Sequence, residues 1–526
     1  MWLLAAIAVA CGPSTARAQP EPFGLPVEDV DVETLPIFDA YGRGSLTWLY
    51  RAANAVHFRT RPGTVLSQMP FNEGQPWTPD LKSETERVLR GLSFLIPVLV
   101  QGSGQDSASI RVVTRDVWTT TPEFNFESSG GKRYGKIGLA ERNLFGLGKT
   151  LAFAVSQRPE GTTRSFEYND PGIARSRIRA RVGFGDGAEG ASSSFGLYQP
   201  FYALDTRRTF GYTFDRSTSR VRLYANNAEV AGTDRRLEQA ELWWGHGSRV
   251  EGVIRRFRYS LLHYDRRLGP ADTQPGAPVE FEGGESSLRL RRLSAELILW
   301  NPRYLERWNV DRMRVVEDID AGPLVGFQVG YAPLWLGSSQ NEGYVRTQLG
   351  LGTDQGSLGY GTLWGSVEGR ITATPKETLY RLNARWVTQA MRQHTLVLAA
   401  LGEAATNPER DFQIVYGGLN GLRAYPVHAV AGTRGWRLNG EARIALPTPS
   451  PDFLSFGVVG FTDAARMWGA GAAGTSWFSD AGVGLRVSMP RLSLGRIVRV
   501  DVAWPISPTR DEARERVVSI GSSQAF

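Results

Sequence analysis

From about residue 130 to the C-terminus, apolar and polar residues alternate with a period of two. Phe210, Tyr212 and Phe214 alternate with Gly211, Thr213 and Asp215. Val325, Phe327, Val329 and Tyr331 alternate with glycine and glutamine, and Trp436, Leu438, Gly440, Ala442 and Ile444 with Arg437, Asn439, Glu441 and Arg443. Successive side chains of a strand point to opposite faces, so the pattern describes strands with one apolar and one polar face. A soluble sandwich would turn the apolar face to a core. A membrane barrel would turn it to lipid and line its lumen with the charges. Alternation alone leaves both open. Three features favour the barrel: the repeat runs for nearly 400 residues without helical interruption, Gly/Asp/Asn/Pro clusters space the strands, and the last residue is Phe526 at the end of the strand Arg516 to Phe526. At roughly 25 residues per strand and loop, residues 130–526 hold about 16 strands. The expected fold is mainly β, a transmembrane antiparallel barrel preceded by a small α+β domain.

Composition closes other routes. The chain has 526 residues, 60 Lys+Arg against 53 Asp+Glu, a net charge of +7, and 11% aromatic residues, too aromatic and too weakly charged for disorder. A mean hydropathy of −0.26 excludes a bundle of membrane helices, and no later stretch reaches ~18 consecutive apolar residues. A charge this modest over this length points to no nucleic-acid partner.

Residues 1–18 read as a signal peptide: Trp2 to Ala10 are apolar, and Ala16-Arg17-Ala18 is an A-x-A cleavage site. The basic segment that usually opens such a peptide is missing, which suggests an earlier start. A short membrane anchor and lipidation at Cys11 are the alternatives. Cys11 is the one cysteine, so the processed chain is expected to carry no disulfide, Cys-ligated metal or catalytic thiol.

Residues 19–50 show no sustained period and read as a linker. Residues 51–122 read as a small α+β module: a short strand near His57 and Arg59, a helix opened by Thr78-Pro79-Asp80, and strands Ile96 to Gln101 and Ser109 to Trp118. Leu81, Thr85, Val88 and Leu89 share one helical face, with Glu84, Glu86, Arg87 and Arg90 on the other.

No enzyme chemistry is marked. His57, His246, His263, His394 and His428 form no metal-ligand pair, no G-x-S-x-G elbow exists, and no cofactor is called for. Gly185-Asp186-Gly187-Ala188-Glu189-Gly190 matches G-x-G-x-x-G but leads into Ser192 and a strand, so it reads as a hairpin loop. Gly148-Lys149-Thr150 ends like a phosphate loop, but Asn143 stands where its first glycine belongs.

Lys136 to Gly148, with Gly138, Glu141, Asn143, Phe145, Gly146 and Gly148, resembles the opening barrel hairpin of the outer-membrane assembly and secretion superfamily, which includes BamA, TamA and the bacterial surface antigens. Upstream, Gly74, Glu84 to Arg90 and Val113 to Trp118 resemble a POTRA module, the periplasmic domain that precedes such barrels. Gly421, Leu422, Arg423, Ala424 and Tyr425 are similar to the tip of the family's sixth extracellular loop, which folds into the lumen. The resemblance implies that Arg423 pairs with two acidic residues, Glu441 and Asp463. A guanidinium suits this, because it can bond carboxylates bidentately and tie a loop down inside a wet lumen. Ala424 departs from the family glycine, which questions how closely the backbone packs there. Gly521 and Phe526 fit the family's C-terminal insertion signal, whereas Gln524 replaces an apolar residue.

The resemblance implies a non-enzymatic outer-membrane protein that inserts other outer-membrane proteins or exports a specific client. Its POTRA module would capture an unfolded chain at a sheet edge. The seam would lie between the strand near Tyr134 to Leu139 and the C-terminal strand. One POTRA module, where the general assembly factor has several, suggests a specialised role. Expected partners are the unfolded client, outer-membrane lipid or lipopolysaccharide, and accessory envelope proteins. The alternative is a passive anion-preferring pore with Arg177, Arg179, Arg381, Arg385 and Arg443 facing the lumen.

Overall fold

A computed structural model describes residues 20–39, 47–129, 132–158, 160–275, 277–281, 284–391, 394–448, 454–472, 476–491, 496–507, 516–522 and 524. The segment 1–18 read as a signal peptide, with Cys11, and the terminal Phe526 lie outside the described residues.

The N-terminal domain is a three-stranded sheet backed by helices. β1 (Val27–Leu35) pairs parallel with β3 (Ala108–Asp116), and β2 (Leu95–Ser103) pairs antiparallel with β3, giving the order β1-β3-β2. β1 falls within the segment read as a linker: Val30 and Val32 alternate with the exposed acids Asp29, Asp31 and Glu33, too brief a repeat to stand out among so many acids. His57 sits in a bend behind helix α1 (Thr47–Val56), where a strand was expected. Helix α2 spans Pro62–Leu66. Helix α3 (Pro79–Arg90) starts where the sequence places it: the Thr78 hydroxyl accepts the Leu81 N–H at 3.1 Å, and Pro79 occupies the first turn. Val65, Trp77, Leu89, Leu95, Ile110 and Val112 are fully buried in the core.

From Thr120 onward the chain forms one closed antiparallel barrel. Among the described residues it contains 20 strands, not about 16. The estimate failed on loop length, since several connections are two-residue turns. Asn226 and Asn227 (φ 50° and 63°) and Glu251 and Gly252 (φ 51° and 83°) take the left-handed conformations that join twisted strands most tightly.

The barrel also begins earlier than residue 130. Its first strand, β4 (Thr120–Ser129), pairs with β5 (Lys132–Leu144) on one side and with the last strand, Val517–Ser522, on the other. The seam therefore uses β4 and not the strand through Tyr134. Pro122 obscures β4 in the sequence by interrupting its alternation. Among the described residues, Val518, Ser519 and Ile520 are in register with Ser128, Glu127 and Phe126 across the seam.

Apolar side chains point outward, including Ile137, Phe153, Phe184, Leu242, Trp244, Val325 and Val483. At the level of this apolar belt, charged residues of the same strands, such as Glu241, Arg258 and Glu296, point inward. Among the described residues no helix is long and apolar enough to cross a membrane.

Candidate functional site: a plugged lumen

The connection between strands His394–Thr406 and Arg434–Ala445 folds back into the barrel. It carries two short paired strands, Ile414–Tyr416 and Val430–Gly432, and a turn at Gly421 (φ 86°). Leu422, Arg423, Ala424 and Tyr425 are all buried.

The strand Ser455–Trp468 accounts for this burial. Its inward side carries Val459, Phe461, Ala465 and Met467 where a wet lumen would demand polar groups, and the loop packs on them. Most of the strand's inward face thus meets the loop rather than water.

Asp463 lies in the middle of that inward face. Arg423 donates to it from Nε at 2.7 Å and from Nη2 at 2.9 Å, the two-pronged geometry that suits a guanidinium and a carboxylate. Its Nη1 donates to Glu441 Oε1 at 2.6 Å, and its guanidinium lies 3.5 Å from the centre of the Phe461 ring. The structure therefore brings Arg423, Glu441 and Asp463 together.

Further residues complete the cluster. Glu441 also accepts from Arg443 Nε at 2.7 Å and lies 3.4 Å from Arg486. Arg486 reaches Asp501 at 2.5 Å, and Asp501 takes Arg499 at 2.8 Å. The Asn439 amide donates to Asp463 at 2.7 Å and to the Gly421 carbonyl at 2.9 Å. Asp480 accepts the Ala424 N–H at 3.0 Å, and the Tyr425 hydroxyl donates to the Ser479 carbonyl at 2.9 Å. Ala424 is not among the residues with left-handed backbone, so it fits without strain.

A second network holds the base of the loop. Arg370 donates to Glu342 at 2.9 and 2.8 Å and to Glu377 at 2.7 Å. Arg266 donates to Glu377 at 2.7 Å and lies 3.5 Å from Asp411 and 3.6 Å from Glu409, both at the start of the loop. Inward parity alone marks Arg266, Arg370 and Glu342 in the sequence. Nothing there reveals that they face one another.

A hairpin enters from the opposite mouth. The connection at residues 301–323 contains paired strands Tyr304–Trp308 and Val316–Asp320. Its tip wraps the Glu317 carboxylate, which accepts the N–H groups of Val310, Asp311 and Arg312 at 2.9, 3.0 and 3.2 Å. Val310 is fully buried against Tyr360, Val387 and Val397. Asp311 takes Arg385 at 2.8 Å and lies 3.7 Å from Arg443, which links this tip to the Arg423 cluster. At its other end Arg90 of α3 forks onto Asp318 at 2.9 and 2.7 Å and donates to Glu306 at 2.7 Å.

The remaining motif residues form a joint between domain and barrel. Glu141 in β5 accepts the Thr119 hydroxyl at 2.6 Å and the Asn143 N–H at 2.7 Å. Buried Asn143 donates to Thr60 at 2.9 Å and accepts the Gly148 N–H at 2.8 Å. The Gly146 carbonyl accepts from Arg61 N and the Thr64 hydroxyl, each at 3.0 Å. Gly146 (φ 74°) has no room for a Cβ, which would sit 2.2 Å from the Arg59 carbonyl oxygen. Gly148 (φ 66°) faces the Phe94 ring and Phe145 packs edge-on against Phe58, while Gly138 allows the neighbouring strand β6 (Lys149–Arg158) to approach. At the C-terminus, Gly521 pairs with Arg499, and Gln524 turns toward Arg486 at 3.1 Å.

The same mouth meets α3. Glu84, expected on the exposed helical face, is buried and accepts the Leu204 N–H at 2.6 Å. Burial pushes its carboxyl pKa above the ordinary range, against the pull of that hydrogen bond and of Arg87.

No family model and no curated protein matches the chain. Among solved structures it is similar to CdiB from Acinetobacter baumannii, at 10% identity and a TM-score of 0.47 over 94% of this chain and 74% of that one. It is also similar to CdiB from Escherichia coli (12%, 0.45, covering 94% and 76%) and to BamA from Haemophilus ducreyi lacking POTRA domains 1–3 (14%, 0.38, covering 94% and 85%).

Proposed function

We propose that this chain is an outer-membrane barrel that inserts or exports a specific protein client, with the N-terminal domain acting as a POTRA-like receptor on the periplasmic side. The observation that carries the reading is the seam. Among the described residues three pairs join β4 to Val517–Ser522, whereas Arg208–Ala225 pairs along its whole length with residues 228–246. A sheet edge can take an extended chain through main-chain hydrogen bonds, and a seam this short is the place in the wall where such an edge is exposed at least cost. The motif resemblances at Lys136–Gly148 and Gly421–Tyr425 support the same reading.

A passive pore fits the interior less well. Arg381, Arg385 and Arg443 are paired with Glu403, Asp311 and Glu441, and two inserted segments occupy the lumen. The reading assigns no catalytic step to any residue.

Phe126 and Ile520 are in register across the seam, within the reach of a disulfide. Depleting the protein and profiling outer-membrane and secreted proteins would identify the clients. Oxidising a Phe126→Cys/Ile520→Cys variant should then reproduce that loss, and reduction should reverse it. Full client levels with the seam crosslinked would overturn seam opening and leave the lumen as the route.

A further inference from the structure

We infer that the outer wall of the barrel, at the end far from the N-terminal domain, carries a binding site for the phosphorylated headgroup of lipopolysaccharide. The inference rests on the barrel spanning the outer membrane as proposed above, and on nothing about the client.

The strands Arg208–Ala225, Ala228–Val250, Val253–Leu268 and Ser287–Trp300 lie side by side, so their register defines rows across the wall. One outward row is Tyr212, Leu242, Leu261 and Leu293, all exposed apolar side chains of the lipid belt. The next row toward the far end is Phe214, Ala240, His263 and Arg291. Then come Arg216, Glu238, Asp265 and Arg289, followed by Thr218, Arg236, Arg267 and Ser287. Five arginines thus stand on three consecutive rows directly beyond the belt, against the two carboxylates Glu238 and Asp265.

Rows are two residues apart, about 7 Å along each strand, so the patch spans the depth of a headgroup layer. Asp265 is already shared by Arg267 at 3.1 Å and Arg289 at 3.4 Å. Among the described residues, Arg216 and Arg236 make no ion pair and are exposed. Farther out, Arg220 faces Asp234 and Asp272, so the excess of positive charge is confined to the headgroup level.

The patch also has an apolar flank. The connection after Leu324–Ala332 lies along it, with Ser339 N donating to the Arg289 carbonyl at 2.8 Å and Arg291 N to the Ser338 hydroxyl at 3.0 Å. That connection exposes Leu334 (53%) and Trp335 (77%) beside the arginines. Tryptophan at this depth suits the boundary between acyl chains and headgroups. Forked guanidinium donors suit phosphate oxygens. A ligand with phosphates on a sugar and acyl chains beneath meets both halves of the surface.

The test uses the full chain in detergent, with lipid A, lipid A stripped of its phosphates, and phosphatidylglycerol as probes. Retained lipid is read by native mass spectrometry and by the shift in heat unfolding. The unaltered chain should retain lipid A and be stabilised by it, and respond to neither of the other lipids. Arg236→Gln/Arg267→Gln/Arg289→Gln should bind lipid A about tenfold or more weakly, since each lost guanidinium removes a charge-assisted contact. Arg255→Gln, an outward position near the other end of the same wall, should bind as before. Where the triple variant fails to show the heat-dependent gel shift of a folded barrel, Arg236→Gln alone serves, with a several-fold loss expected. Equal binding of stripped lipid A or phosphatidylglycerol, or undiminished binding by a folded variant, would overturn the assignment. Client profiling does not enter the readout, so either result leaves the transport reading standing on its own test.

Discussion

Arg423 is a buried charge whose stability depends on its partners. Removing one member of a buried ion pair costs roughly 3–5 kcal/mol, because the remaining charge is stranded. Its two acids are not equivalent. Glu441 keeps the cations Arg443 and Arg486 when Arg423 is lost, whereas Asp463 is left with uncharged donors, the Asn439 amide and the backbone N–H of residue 423. Arg423→Ala should therefore lower the stability of the folded barrel in lipid by about 3 kcal/mol or more, and adding Asp463→Asn should recover part of that loss. Arg423→Lys should fall between, since an ammonium cannot bond both oxygens in parallel. Denaturant unfolding of the four proteins in vesicles checks the order. Glu84 behaves in the opposite sense. Its pKa is raised by burial, so its favourable neutral form is present at low pH and its contribution is lost as pH rises from the ordinary carboxylate value through the folded one. Glu84→Gln should flatten the pH dependence of thermal stability across that window and leave the chain at least as stable at neutral pH.

At the scale of elements, the turn between β5 and β6 does more than reverse the chain. Gly146 must be glycine twice over, for its positive φ and for the Arg59 carbonyl lying against it. Gly146→Ala should cost about 1–3 kcal/mol and release the N-terminal domain from the barrel mouth, seen as faster protease cleavage near Val117–Thr119 with the barrel still folded. Helix α3, the twofold alternation and the Arg423–Glu441–Asp463 contact were all legible in the sequence, because each has a local or motif-level mark. The number of strands was not, since two-residue turns such as Asn226–Asn227 leave little trace between long strands. The hairpin at residues 301–323 was equally hidden. Asp311, Arg385 and Arg443 reveal only that they face inward, and their contacts are set by the closure of the barrel. Glu84 misled because its helical face looks solvated until the barrel covers it.

At the scale of the whole molecule, cations and acids run from one mouth to the other. Arg90 holds the entering hairpin through Asp318, and that hairpin's Asp311 meets Arg443. Arg443 shares Glu441 with Arg423 at the tip of the opposite loop. The N-terminal domain is thereby tied through the interior to the loop that closes the far side. The wall offers a different balance. Long strand pairs must break many main-chain bonds together, whereas β4 and the terminal strand share three residue pairs among the described residues. Local opening follows the number of bonds broken and the surface exposed, so the seam should be the first part of the wall to open. Hydrogen exchange on the folded protein in lipid should show the amides of Phe126 and Val518–Ile520 exchanging well before those of Tyr212–Asp215 and Gln239–Trp243. The Phe126→Cys/Ile520→Cys crosslink should slow the seam amides without changing the others. Equal protection of both regions in the uncrosslinked protein would mean that the bonds across the seam suffice to hold the barrel shut, and the proposed transport role would then require passage through the lumen by displacing the loop that Arg423 secures.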